Sequence, residues 1–442
     1  MSEHSATVER VFQQIAGDGD DRVCRDIPDS ACREEPRNFL THVAALTLSK
    51  SADGLVDPKL VLSWLLTSIG APAAVIGLLV PVREAGALLP QLFTAGAIRR
   101  LPRRKYVWAA GSAVQGLAVL GILACALFLD GATAGWGILA CLAVLALARS
   151  ACSVAYKDVL GKTISKSRRG SATGLAGSIS AATVIVFALL LVSGWIERMD
   201  LVLAALAIAA GAWLLSAAVF VTLEEEAGAT EGGANALDVA RDYWGYLTSD
   251  RQLQRFILSR ALLTATALAP PFMVAAWSAS SGDGGGQAYA GLGFLVLASA
   301  LASLLSSWFW GRLADRSSRK VLAYSGLVGA AALLATGLLG LGGGLRDAVL
   351  PPVLLFILMV AYQGVRLGRS THLVDMAGEE QRAAYTALSN TLIGLVLLGG
   401  GAFSLLASAT GPSTVLLVMA GLALLGGLAA FGLEEVQQGE DA

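Results

Sequence analysis

Charge is scarce in this sequence: 15% of its 442 residues are Asp, Glu, Lys or Arg, against 55% hydrophobic. A soluble chain of this length needs more charge to solvate its surface, so the apolar excess must face lipid. The mean hydropathy of +0.65 agrees. Stretches that alternate apolar and polar residues are lacking, which excludes a β-barrel. Cysteine and histidine number five and three, and no CxxC pair occurs. That usage gives no metal-ligand spacing, and no metal or cofactor is expected. A Walker-type GxxxxGK[ST] segment is missing, as is any nucleophile–base constellation, so the chain reads as no enzyme. Residues 1–38 are polar and acidic with no cleavable signal peptide, and the first apolar run is long enough to remain as an anchor.

What is abundant is glycine, 50 residues, in runs rich in Ala and Leu. Small residues let membrane helices approach closely, which favours a packed helical bundle. A helix needs about 20 apolar residues to cross the hydrocarbon core. On that measure spans fall near 40–66, 72–97, 106–128, 136–156, 171–194 and 201–222. A second set falls near 256–278, 288–310, 321–344, 350–371, 383–407 and 412–433. The predicted fold class is an all-α integral membrane protein of 12 transmembrane helices in two pseudo-symmetric six-helix bundles. Its parts are a cytoplasmic tail (1–38), a first bundle (39–222), a linker (223–255), a second bundle (256–433) and a C-terminal tail (434–442).

Loop charge sets the topology, because cytoplasmic loops collect Lys and Arg. One set of loops carries Arg99, Arg100, Arg103, Arg104 and Lys105, then Lys157, Lys162, Lys166, Arg168 and Arg169, then Arg312, Arg316, Arg319 and Lys320. The opposite set offers only Arg198 and Arg346. Both termini are therefore expected in the cytoplasm, with the protein in the inner (plasma) membrane. The linker opens with Glu224-Glu225-Glu226 and continues into a predicted helix over 236–247. Its apolar face suits either an interfacial helix or a plain connector.

The halves repeat. Gly96, Arg104 and Lys105 after span two recur as Gly311, Arg319 and Lys320 after span eight, at an offset of about 215 residues. Arg149 and Asp158 of span four recur as Arg366 and Asp375 of span ten. Arg169-GSA-Thr173 at the start of span five recurs as Arg382-AAY-Thr386. Twelve spans in two halves with a basic loop after spans two and eight resemble the major facilitator superfamily (MFS). The segment GRLADRSSRK at 311–320 is similar to that family's loop signature. The resemblance covers residues 39–433. It implies secondary active transport of a small solute by alternating access, with spans 1, 4, 7 and 10 lining a cavity. It also implies that Asp315, with Arg316 beside it, acts as a latch against a helix start in the opposite half. The first-half copy departs from the signature, since Arg100 stands where the acid belongs.

Ionisable side chains at bilayer depth are costly and face a cavity or a partner. In span one, Lys50, Asp53 and Asp57 share one helical face, and Pro58 follows. Span two carries Arg83 and Glu84, span seven Arg260 ahead of Pro270-Pro271, span ten Gln363, Arg366 and Arg369, and span eleven Asn390. Asp53, Glu84 and Asp57 are the proton-coupling candidates, because burial brings a carboxyl towards neutrality. Lys50, Arg83, Arg260, Gln363, Arg366 and Asn390 are the substrate-cavity candidates. Lys50 with Asp53 also fits a neutralising pair, Asn390 fits helix–helix contact, and Arg149 and Arg366 with their aspartates fit pairing at the inner gate. The surplus of basic over acidic groups points to an anionic or zwitterionic solute.

The expected partners are the lipid bilayer, a small solute and protons, with no nucleic acid and a monomeric state. Gly170, Gly174, Gly177 and Gly399-Gly400-Gly401 suit either sliding or tight packing. Cys24 and Cys32 in the tail are expected to be free thiols under cytosolic reduction. Two other readings stay open: a transporter-like sensor or assembly factor, and a lipid or amphiphile flippase.

Overall fold

The computed structural model describes residues 29–228, 245, 247–280, 291–347, 349–377 and 382–436. Its regular structure there is helical throughout. The first part of the chain forms α1 (Asp29–Leu55), α2 (Val61–Ser68), α3 (Ala73–Leu88), α4 (Gln91–Arg99), α5 (Lys105–Phe128), α6 (Gly131–Thr163), α7 (Lys166–Ser193) and α8 (Arg198–Val221). The remainder forms α9 (Arg251–Leu263), α10 (Ala265–Leu268), α11 (Pro270–Ser280), α12 (Leu292–Arg316), α13 (Ser318–Leu341), α14 (Leu350–Met376), α15 (Arg382–Gly399), α16 (Ala402–Thr410) and α17 (Pro412–Phe431).

Nine helical stretches among the described residues are long and apolar enough to cross a membrane. Their outward faces carry large apolar side chains such as Leu117, Leu147, Leu189 and Leu428, each more than half exposed. An apolar exterior of that extent is stable only against lipid, which makes this a multi-pass membrane protein. The segments before Arg104 fall outside the nine. Pro58 and Pro90 break them, and they carry Lys50, Asp53, Asp57, Arg83 and Glu84.

Helix limits differ from the expected spans where the backbone has its own signals. Pro58 supplies no N–H and its ring blocks the preceding turn, so the first span divides into α1 and α2. Gly400-Gly401 divides the eleventh into α15 and α16. Pro270, with Thr264 ahead of it, divides the seventh into α9, α10 and α11. α6 runs for 33 residues, about 50 Å at 1.5 Å per residue, well beyond a ~30 Å hydrocarbon core. α1 begins at Asp29, ahead of the expected tail boundary at 38. The helix expected over 236–247 lies almost entirely outside the described residues.

Close backbone approach is concentrated between α13 and α17. A methyl group at Gly326 would stand 2.5 Å from Cα of Gly427, so only glycine fits there. α5 packs on α6 and α8, and α1 on α7 and α8. Two seams join the first part of the chain to the second: α7 against α12, and α3 against α15 and α16. They are tight at the end of the bundle remote from the chain termini. There a methyl at Gly293 would stand 2.7 Å from the Val192 nitrogen, and one at Gly401 would stand 2.7 Å from Leu78.

At the terminal end, three ion pairs lie within one part of the chain or the other. Arg37 meets Glu224, Arg168 meets Glu35, and Arg319 meets Glu435. Cys32 is disulfide-bonded, against the expectation of a free thiol, and its partner lies outside the described residues. Cys125, Cys141 and Cys152 are free.

Candidate functional site: a charged cavity at the seam

The break in the first span builds the site. Asp57 turns its carboxylate onto the backbone, accepting from the N–H groups of Lys59 at 2.8 Å and Leu60 at 3.0 Å. It thereby satisfies donors exposed by the break at the start of α2. That commits Asp57 to the backbone and aims the next residue, Lys59, inwards. The Lys59 side chain is 8% exposed; its ammonium lies 3.7 Å from Glu84 of α3 and 3.7 Å above the ring of Tyr362 of α14. A cation over an aromatic face is attracted by the ring quadrupole. Lys59 therefore connects the two parts of the chain.

One turn before the break, Asp53 pairs with two guanidinium groups. Arg83 of α3 meets one carboxylate oxygen at 2.8 Å, and Arg149 of α6 meets the other at 2.8 Å. One carboxylate thus ties three helices, by a charge-assisted hydrogen bond from Arg83 and an ion pair with Arg149. Arg149 also donates to Ser49, which accepts from the Trp213 indole at 3.2 Å. Lys50 points towards α7, donating to the Thr173 carbonyl at 2.9 Å. Lys50, Asp53, Arg83, Arg149 and Trp213 line a cavity of about 530 Å³, together with Asp57, Lys59 and Glu84. Its opposite wall is α14, where Tyr362, Arg366 and Arg369 recur at i, i+4 and i+7 on one face. Gln363 lines it too and accepts from Arg366 at 3.5 Å.

The structure redistributes several of the expected roles. A fourth span ending at 156 places Arg149 at a gate. α6 continues to Thr163, so Arg149 lies about 20 Å from the helix end and lines the cavity. Arg366, likewise 10 residues short of the end of α14, is a cavity residue. Arg260 is buried but does not line the cavity; it donates to Ser389 at 2.6 Å and to Asn390 at 2.9 Å, tying α9 to α15. Asn390 is that arginine's partner.

The repeated basic pairs hold helix ends. Lys105 donates to the carbonyls of Val221 and Leu223 at the end of α8, while Glu225 accepts from the backbone N–H groups of Arg104 and Lys105 at 3.1 and 2.7 Å. The second part mirrors this: Arg319 donates to the Leu433 carbonyl and to Glu435, which also accepts from Ser317. Asp158 pairs with Arg104 and with Lys162. Lys320 and Arg316 are exposed, as is Asp375 in the last turn of α14. Gly96 lies in α4 and Gly311 in α12. The side chains of Asp315 and Arg382 lie outside the described residues.

Lys59, Tyr362, Glu225 and Glu435 escaped the sequence reading. Two signals pointed to them: Lys59 directly follows Asp57-Pro58, and Leu-Glu-Glu recurs at 223–225 and 433–435 after the last span of each half. Tyr362 carries no such signal.

No protein-family model and no curated relative matches the sequence. Solved structures do match over nearly the whole chain. The nucleoside transporter NupG is 14% identical with a TM-score of 0.66, covering 89% of this chain and 98% of its own. A POT family transporter in complex with a thioalcohol-conjugated peptide is 10% identical with a TM-score of 0.66, covering 90% and 96%. A bacterial homologue of the human lysosomal transporter Spinster, inward-facing and occupied, is 12% identical with a TM-score of 0.62, covering 89% and 96%. The chain shares the fold of these transporters.

Proposed function

We propose that this protein is a secondary transporter that moves a small solute across the plasma membrane by alternating access. It does so with twelve spans in two six-helix bundles and both termini in the cytoplasm. The observation that carries this reading is the cavity itself: it is polar, lies at depth between the two parts of the chain, takes side chains from both, and is bounded by tight seams at the end remote from the termini. A charged cavity inside an apolar bundle is costly unless it serves passage. With the seam tight at the end remote from the termini, the cavity in this reading opens towards the terminal, cytoplasmic side. Closing that side while parting α7 from α12 would expose the same residues to the opposite face.

Protons are the coupling ion in this reading. Asp57 is committed to the backbone and Asp53 is engaged on both oxygens. Glu84, whose one ion pair is with Lys59 at 3.7 Å, is then the carboxylate proposed to take up a proton and release Lys59. Solute flux into proteoliposomes under an imposed pH gradient tests the assignment. Gradient-driven flux in the wild type, with Glu84→Gln retaining solute exchange but losing the response to the gradient, supports it. No flux with any of a broad set of small solutes returns the protein to the sensor class. Movement of labelled lipid without solute flux makes it a flippase.

A further inference from the structure

The cavity is charged unequally. Six basic side chains reach it, Lys50, Lys59, Arg83, Arg149, Arg366 and Arg369, against the three acidic ones, Asp53, Asp57 and Glu84. The acidic groups are already assigned: Asp53 holds Arg83 and Arg149, Glu84 holds Lys59, and Asp57 caps a backbone turn. What remains is a cluster of cations without carboxylate partners. Lys50 has only the Thr173 carbonyl, and Arg366 only the Gln363 amide at 3.5 Å and the Tyr362 ring at 6.0 Å. Arg369 forms no ion pair among the described residues.

These cations face one another across the seam. The charges of Arg149 and Arg366 both bear on Lys50 against that of Asp53, and that of Arg366 bears on Arg369 against that of Glu84, so the three carboxylates offset the six cations only in part. Behind Arg369 lies Arg260, whose polar partners are the neutral Ser389 and Asn390. The field in the empty site is therefore positive, and in a low-dielectric surround its repulsion acts over several ångströms. Guanidinium groups at this depth suit planar or tetrahedral oxyanions, which they bind with two parallel N–H donors.

Resting on the transporter reading above, we infer that the solute is a small organic oxyanion with at least two negative charges, a polycarboxylate or a phosphate ester. Arg366 and Arg369 of α14 hold one end of it and Lys50 of α1 the other. The anion also governs closure. Bringing α1 and α6 towards α14 without it presses like charges together, whereas a dianion between them turns that repulsion into attraction. An empty carrier consequently resists closing, and the bound anion permits it.

The experiment uses the full chain purified in detergent, with thermal unfolding followed at matched ionic strength. The probes are succinate, citrate, glycerol 3-phosphate, choline and glucose. The di- and trianions are expected to raise Tm in a saturable way, while choline and glucose leave it unchanged. The carboxylates against glycerol 3-phosphate decide which head group fits. Arg366→Gln and Arg369→Gln should each weaken the anion effect by about tenfold or more, the loss of one charge-assisted contact. Neither variant should lower Tm without anion by much, since each removes a cation with no ion pair among the described residues from a site with a basic surplus, and this shows that the variants fold. Equal stabilisation by choline or glucose, or an undiminished anion effect in the double variant, overturns the inference. Proteoliposome flux separates it from the transporter reading. Anion binding without any flux sinks the transporter alone, and flux of a neutral solute with no anion effect sinks the anion alone.

Discussion

The ammonium of Lys59 stands 3.7 Å above the ring of Tyr362, and so the break in the first span reaches across the seam to the opposite wall. The same ammonium lies 3.7 Å from Glu84 on its own side. One lysine thus has a partner that moves with it and a partner that does not. Any rocking of one part of the chain against the other must strip Lys59 from Tyr362, and Glu84 is the group that holds the charge meanwhile.

Lys59→Met should therefore harm both folding and flux. Leaving one member of a fully buried pair alone costs roughly 3–5 kcal/mol. Glu84 keeps 33% of its side-chain exposure, which reduces the loss to about 2 kcal/mol. Lys59→Met with Glu84→Gln removes the unpaired charge and should regain most of that stability without regaining flux. Thermal unfolding of the two variants beside the wild type measures this; equal loss in the single and double variants contradicts the pairing.

Asp53 and Asp57 share a helical face in the sequence but should behave differently on substitution. Asp53→Asn leaves Arg83 and Arg149 with a weaker acceptor and should abolish flux. Asp57→Asn keeps a capping oxygen for Lys59 and Leu60, so flux should stay near the wild-type level. Asp57→Ala loses the cap at a cost of about 1 kcal/mol. Flux assays on Asp53→Asn and Asp57→Asn at equal protein load decide it, and strong loss in Asp57→Asn would return that residue to the transport chemistry.

Arg260 ties α9 to α15 away from the cavity. Arg260→Ala should lower stability by roughly 1–3 kcal/mol, because Ser389 and Asn390 lose a buried donor. The apparent KM of the solute should stay within about twofold, well under one hydrogen bond's worth. A large rise in KM at unchanged protein stability would place Arg260 in the binding site instead.

The two Leu-Glu-Glu segments should act alike. Glu225→Gln and Glu435→Gln each loosen a helix-end clamp, at roughly 1–2 kcal/mol apiece. The sites lie in different parts of the chain and share no partner, so their effects on unfolding should add. Strong non-additivity in the double variant would show that the clamps communicate.

Much of this was legible in the residues. Apolar runs and loop charge marked the helices, and Asp53, Arg83 and Lys50 announced themselves by being charged where charge is expensive. The rest was hidden for physical reasons. A span boundary drawn from hydropathy stops where polarity rises, yet α6 continues beyond it with Asp158 and Lys162 paired to neighbours, and this places Arg149 deeper than the hydropathy limit does. Arg260 and Asn390 each looked like a ligand because a sequence does not show that two polar residues on distant helices satisfy one another. Tyr362 is an ordinary interfacial-looking aromatic until the break at Pro58 delivers a lysine to its face.

That break has a consequence for how the protein is made. The segment α1–α2 leaves the ribosome ahead of α3 and α6, yet it carries Lys50, Asp53, Asp57 and Lys59 and is not among the stretches apolar enough to cross a membrane by themselves. The counter-ions for Asp53 lie on α3 and α6 and are synthesised later. Its first crossing can settle at its final depth only once those helices arrive, so integration waits on α6. Truncated chains ending before Arg149 should hold that crossing in the bilayer less firmly than chains ending after Thr163, which extraction of the membranes at alkaline pH measures.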